Sequence, residues 1–456
     1  MRRNLAQMCQ STQPDGSNAV DTRTAIFVLS PNSTEVVMNL DTALNRVSEV
    51  TEAVDLGDHQ PTYPDFPLDE YRTRYARLVA LMDQFGVDAL VLTQEEPVKY
   101  LSGYNSVIWA VGKWLPGALL ATRDPKDAVL IPSAFDVGAA AGSSWVANVD
   151  GHSGAEDLVD KIDSHLDRLG LDRGRVAIER SEGSIVMLPL ESALSLHGLV
   201  PASTPDAALM VSILRMLKSP AELDRLRRVV RATTAGYQVA LDNARIGMTE
   251  KDIVAMVASK LYEKGGTAGT RPLFLNAVAG PDRYPLVDSP ASDRELRNGD
   301  ILFLDGGAGG DGYMSDIIRI AAFGDITPEA ETFAAAALDA NKAMVDSAAP
   351  GITVQDLYQA GQDVYVAEGL GEFGGALSGH GIGMELWERP FIKLHDDPDD
   401  NVRLRPGMVI CIEPILAPVV DGQLAGIFVF EQQVAITEAG NEVLSGDLEV
   451  KLWRAS

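Results

Sequence analysis

ILFLDGGAGGDGYMSDIIRI, residues 301–320, contains two apolar runs, ILFL and IIRI, joined by a glycine-rich turn, and each run carries an aspartate at its turn end. Asp305 closes the first run and Asp316 precedes the second, eleven positions later. Short runs of bulky apolar residues bounded by Gly and Asp read as neighbouring strands of one sheet. A carboxylate embedded in such a strand loses its hydration, at a cost of several kcal/mol unless it is paired or bound to a cation.

The same oddity recurs downstream. Glu413 interrupts MVICIEPIL, Glu431 follows IFVF, and His380 lies between glycines in GHGIG. Four such acids brought together would repel one another, and two divalent ions would resolve the conflict. Oxygen ligands with one imidazole suit Mn, Co, Fe or Zn, and a carboxylate can bridge two metals. Taken singly, each residue has a plainer explanation. Asp316 could pair with Arg319, Asp305 could cap the turn at Gly306–Gly307, Glu431 could lie on a solvated strand face, and His380 could be a satisfied core histidine. Their joint arrangement raises the metal reading above these.

Acidic residues outnumber basic ones by 65 to 38, a formal charge of -27, which repels nucleic-acid phosphates and anionic headgroups and so argues against nucleic-acid or membrane partners. The two cysteines, Cys9 and Cys411, give neither a disulfide framework nor a cysteine-based zinc site. No apolar run is long enough to span a bilayer, and MRRNLAQMCQSTQ lacks the continuous apolar stretch of a secretory signal. A cytoplasmic protein is the simplest expectation.

A chain of 456 residues suggests more than one domain. Residues 1–62, polar with one apolar piece, AIFVLS, read as a poorly ordered or loosely docked extension. From PDFPLDEYRTRYARLVALMDQFGVDALVLT onward, Tyr71, Tyr75, Leu78 and Met82 mark one helix face, Gly86 suits its C-cap, and VDALVLT reads as a buried strand. Further α/β alternation fills a first domain, residues 63–214. A second, 215–456, opens with a long helix that Ser219, Pro220 and Glu222 cap and then a helix with Thr249 and Asp252 in capping-box spacing.

The acid-bearing segments together resemble the pita-bread metallopeptidase family, which includes methionine aminopeptidase, aminopeptidase P, prolidase and the non-peptidase creatinase. DGGAGGDGYMSDIIR, GHGIG, LRPGMVICIEP and FEQQVAITEAGNEVL match its motifs in family order. EYRTRYARLVALMDQFGVDALVLTQEEPVKYLSGY and LRMLKSPAELDRLR are similar to the amino-terminal domain and connecting helix of the prolidase, aminopeptidase P and creatinase branch. The resemblance covers roughly residues 65 to 450. It implies an α/β (α+β) fold, with a creatinase-like N-terminal domain followed by a pita-bread catalytic domain whose curved sheet is mainly antiparallel. It also implies two divalent metal ions and a homodimer. Carried over, Asp305 is a ligand of one metal, Asp316 and Glu431 are bridges, and His380 and Glu413 are ligands of the other. Glu413 also has the position of the base that takes a proton from a metal-bridging water, which acts as hydroxide.

Two histidines that serve substrate binding and proton transfer in the peptidases of this branch are absent. Asp288 stands where the first would be and Trp387 where the second would be, seven positions after His380. A carboxylate and an aromatic face favour a cationic or zwitterionic small molecule. For Trp387 the alternative is core packing, and for Asp288 a turn before Ser289–Pro290. Glu385 and Glu388 flank Trp387, and either one serves as a pocket acid or base or both face solvent. Trp109, in SVIWAVGKWLPG, is either a specificity element, in the region this branch sends toward a partner subunit's site, or buried packing.

Three functions follow from these readings. The first is a dinuclear-metal hydrolase resembling Xaa-Pro dipeptidase or aminopeptidase P, acting on a dipeptide or another small amide. The second is a non-peptidase member acting on a small cationic or zwitterionic molecule: a creatinase-like or ectoine-hydrolase-like amidohydrolase, or a dimethylsulfoniopropionate lyase. The third is a non-catalytic binding protein on the same fold.

Overall fold

The computed structural model describes residues 39–111, 116–180, 188–265, 274–394 and 400–455. The helix Leu68–Phe85 starts behind Pro67 with Asp69 and Glu70 in its first turn, and it stops at Gly86, whose φ of 66° is a left-handed conformation that favours glycine. Its buried face carries Tyr71, Tyr75, Leu78, Leu81 and Met82. The strand that follows, Ala89–Leu92, is buried throughout, paired antiparallel with Ala118–Thr122 on one side and parallel with Val176–Ile178 on the other. Val129–Ile131 and Asn148–Val149 complete a five-stranded sheet.

Part of the expected loose extension is a structural element. Leu40–Ser48 is a helix, N-capped by Asn39, that buries Leu40, Ala43, Leu44 and Val47 in the main core. That spacing places all four on one face. Arg405 fastens its outer side through Asp41 at 2.9 Å. The expectation of loose docking is therefore corrected for residues 40–48, while AIFVLS lies outside the described residues.

The division expected at 214/215 falls within the helix Ala207–Met216. After three intervening residues the helix Pro220–Asn243 begins, with Ser219 and Glu222 forming a reciprocal capping box. Glu250–Glu263 follows behind the same device, built from Thr249 and Asp252.

The mainly antiparallel sheet of the second half occurs as two hydrogen-bonded sections. One runs Trp453–Ala455, Ile317–Phe323, Ile301–Gly307, Phe274–Ala279, and only its first pair is parallel. The other runs Glu388–Lys393, Leu377–Gly381, Val409–Ile412, Gln432–Thr437, Gly440–Val443, antiparallel throughout. Two further helices, Pro328–Ser347 and Val354–Ala367, pack beside the second section.

The sections meet at a seam. The Glu431 N–H donates to the Ile318 carbonyl at 3.2 Å, and the Asp316 N–H donates to Gln433 Oε1 at 3.2 Å. Arg319, fully buried, donates to the carbonyls of Glu431 at 2.6 Å and Leu448 at 3.0 Å. Among the described residues no helix is long and apolar enough to cross a membrane.

Candidate metal centre

The seam gathers the acids. Asp305 stands opposite Ile318 on one side and Asn276 on the other, and Asp316 immediately precedes the strand Ile317–Phe323. Glu413 follows the strand Val409–Ile412, Glu431 precedes Gln432–Thr437, and His380 faces Cys411 across the pair Leu377–Gly381 and Val409–Ile412. Oxygens of Asp305, Asp316 and Glu431 lie within 4.8 Å of one another. So do a ring nitrogen of His380, the thiol of Cys411 and an oxygen of Glu431. His380 Nε2 is 3.3 Å from Glu413 Oε1 and 3.8 Å from Asp316 Oδ2. Glu431 belongs to both groups.

The electrostatics of this cluster are unfavourable as it stands. Glu431 is 0% exposed, and neither of its carboxylate oxygens has a hydrogen-bond partner; Asp316 Oδ1 is likewise unpartnered. Buried polar atoms are otherwise paired in folded proteins, so unpaired ones call for an explanation. Burial and the charge of Asp316, then of Asp288, push Asp305 well above the usual carboxylate range. Burial and Glu413 do the same to Asp316, and burial with Asp316, Glu413 and Asp305 to Glu431. Glu413 is pushed up to about 8 by burial and by Asp305.

His380 is prepared differently. Its Nδ1 lies 2.9 Å from the Gly381 carbonyl, which can only accept, so Nδ1 carries the proton and Nε2 turns its lone pair toward the acids. Burial holds it neutral, with a pKa lowered to about 4. A neutral imidazole oriented through its other nitrogen, beside Glu431 with both oxygens unpartnered and Asp316 with one, is a donor set that fits divalent cations.

The other expected site residues divide. Trp387 is 59% exposed, its ring centroid 5.6 Å from that of His380 and tilted by 40°. Asp288 is exposed, in the turn after Tyr284–Leu286, and its charge reaches Asp305. Glu385 is paired with Arg215 at 2.8 Å, yet burial pushes its carboxyl above its usual value. One expectation is corrected. Trp109 is 3% exposed and packs on Tyr104, with Gly117 against its ring, so it offers no face to a substrate. The alternative of a solvent-facing Glu388 also fails, since Arg215 and Lys218 enclose it.

Sequence reasoning missed Arg215, Lys218 and Cys411. Strand alternation was the signal for Cys411, which is two residues before Glu413 and so points to the same face.

Comparison with known proteins gives the family context of the fold. A model described as metallopeptidase family M24 matches residues 224–438, and one described as creatinase/prolidase N-terminal domain matches residues 74–217. Residues 224–438 are thus assigned to the M24 metallopeptidase family, and the residues ahead of them to the creatinase/prolidase N-terminal domain. It is 29% identical over 233 residues to an Xaa-Pro dipeptidase of Pyrococcus horikoshii, covering 51% of this chain and 63% of that protein. It is 32% identical over 245 residues to a probable dipeptidase PepE of Mycobacterium tuberculosis, covering 52% of this chain and 60% of that protein. The chain therefore spans less than two thirds of the length of these two relatives. Among solved structures, an Xaa-Pro dipeptidase from Bacillus anthracis superposes with a TM-score of 0.72 at 23% identity, covering 84% of this chain and 99% of that one.

Proposed function

We infer that this chain is a metal-dependent hydrolase of the Xaa-Pro dipeptidase type, in which Asp305, Asp316, His380, Glu413 and Glu431 hold two divalent ions. The observation that carries this reading is Glu431, a fully buried carboxylate with no donor of its own, shared by two groups of ligand-capable atoms. Two bound ions would supply Lewis acidity toward the scissile carbonyl and make a water acidic near neutral pH. The residues do the rest. Asp316 and Glu431, from the two sides of the seam, would be shared between the ions, and His380 would add the one neutral donor. Glu413, at the rim of the cluster, takes the proton of the attacking water and returns it to the leaving amine.

Asp288 and Trp387 favour a second substrate class on the same centre. An exposed carboxylate whose charge reaches Asp305 and an exposed indole beside His380 suit a cationic or zwitterionic small molecule better than a peptide's free carboxylate. Amidohydrolase or lyase chemistry on such a molecule is the alternative to dipeptide cleavage. Metal analysis of the purified protein should find close to two transition ions per chain. Failure to retain metal after supplementation overturns the enzyme reading in favour of a binding protein. A panel of Xaa-Pro dipeptides against small betaines and cyclic amidines divides the two enzyme readings, and Asp288→Ala should impair turnover with metal content unchanged. A homodimer is expected from the family resemblance, and light scattering of the purified protein tests it.

A further inference from the structure

Outside the acid cluster, a group of buried charge lies at the junction of the two halves. Glu388 accepts from Arg215 and, at 3.0 Å, from Lys218 Nζ; its Oε1 also accepts from the Glu385 N–H at 3.1 Å. Arg215 reaches Glu385 Oε2 at 2.8 Å as well, and the charge of Glu96 acts on both Arg215 and Glu385. Arg215, Lys218 and Glu388 are all buried. The two cations come from the end of the helix Ala207–Met216 and the link beyond it, some 170 residues before the carboxylates they hold. Lys218 is itself fixed, its N–H donating to the Gly407 carbonyl at 2.8 Å.

What these charges enclose is the short loop between His380 and the strand Glu388–Lys393. Gly383 leaves the room, since a Cβ there would come within 2.7 Å of both Glu388 oxygens. The Gly383 N–H donates to the Glu385 carbonyl at 3.1 Å, and the Met314 N–H donates to the Gly383 carbonyl at 2.7 Å, close to Asp316 in sequence. Trp387 sits between the two clamped glutamates, yet its own ring stays exposed.

We propose that Arg215 and Lys218 are positioning residues for Trp387: by fixing Glu388 and Glu385 they hold the indole at the mouth of the acid cluster, so the junction between the halves sets the wall of the substrate pocket. The side-chain bonds of Arg215 and Lys218 to Glu385 and Glu388 end on the segment that presents the ring. A loop held only by its backbone would leave an exposed indole free to swing. That the indole selects substrate rests on the reading of the pocket given above, while the clamp itself does not.

The test is acrylamide quenching of tryptophan fluorescence. Among the described tryptophans Trp109, Trp145 and Trp453 are buried, so subtracting the Trp387→Phe background isolates Trp387. Glu388→Gln and Lys218→Met should raise the quenching constant of the Trp387 component about twofold, as a loosened segment exposes its side chain, with metal content per chain unchanged. Arg215→Lys should stay closer to the parent than Arg215→Met. With whichever substrate the panel identifies, KM should rise while kcat holds. Parent-like quenching in the folded variants overturns the proposal. If Glu388→Gln does not fold, Glu385→Gln decides the matter by the same measurement, since that carboxylate is 37% exposed and tolerates the change. Quenching needs no turnover, so it reports on the clamp even if the peptidase reading fails.

Discussion

Two buried groups of charge lie near one another and are built on opposite plans. At the junction, Arg215 and Lys218 answer Glu385 and Glu388, and the cations draw Glu388 down to about 2 in spite of burial that pushes it up. At the seam, four carboxylates and a neutral imidazole have no basic side chain bonded to the acids, and all four acids are pushed up. The first group finds its counter-charges within the chain. On the proposed reading the second is completed by divalent cations from outside, and that contrast distinguishes a structural ion network from a candidate site.

Truncation should break the contrast most visibly. Glu388→Ala leaves two buried cations facing too little negative charge and should cost about 3–5 kcal/mol in urea unfolding. Glu431→Leu in the metal-free protein removes an unpaired buried acid and should be neutral or stabilising. Equal losses would erase the distinction. Next, a divalent ion at one hundred times its dissociation constant should raise stability by about 2.7 kcal/mol. That increment should vanish in Glu431→Leu and persist in Glu385→Gln.

The dependence on pH should run in opposite directions. Glu413 binds its proton more tightly when folded, at about 8 against 4.5, so metal-free protein should lose stability as pH rises through that interval. His380, lowered from 6.5 to about 4, opposes this trend below pH 6.5, which leaves pH 6.5 to 8 as the clear window. Glu388 contributes stability that is present above about 4.5 and lost as pH falls toward 2. Metal saturation should flatten the upper slope and leave the lower one. The smallest effect belongs to Trp387→Phe, which should weaken binding of a small cationic ligand by about 0.5–1 kcal/mol, read by calorimetry. The melting temperature should not move.

Much of the scaffold was legible because its signals are local. Gly86, the Ser219–Glu222 pair and the Thr249–Asp252 pair mark helix ends within a few residues, and the structure places the ends there. Acids stranded in apolar strands were conspicuous for the same reason. The helix Pro328–Ser347 escaped notice although Thr327 and Pro328 announce it, because a run of four alanines carries little periodic contrast. The clamp could not be read at all. Glu388 is 173 positions from Arg215, and nothing within a short window tells an enclosed glutamate from one facing water. Trp109 failed for a related reason, since aromatic character alone does not say which side of a wall a ring lies on.

Arg319 and the strand Trp453–Ala455 bear on how the molecule is made. The strand beside Asp316 takes its outer hydrogen bonds from residues 453–455, and the guanidinium that crosses the seam takes acceptors from Leu448 and Glu449. During translation, Asp305 and Asp316 emerge from the ribosome well before the segment that braces them. The nascent chain passes through an interval in which its acids are synthesised but still lack that brace, and an ion captured early would be held by an unfinished grip.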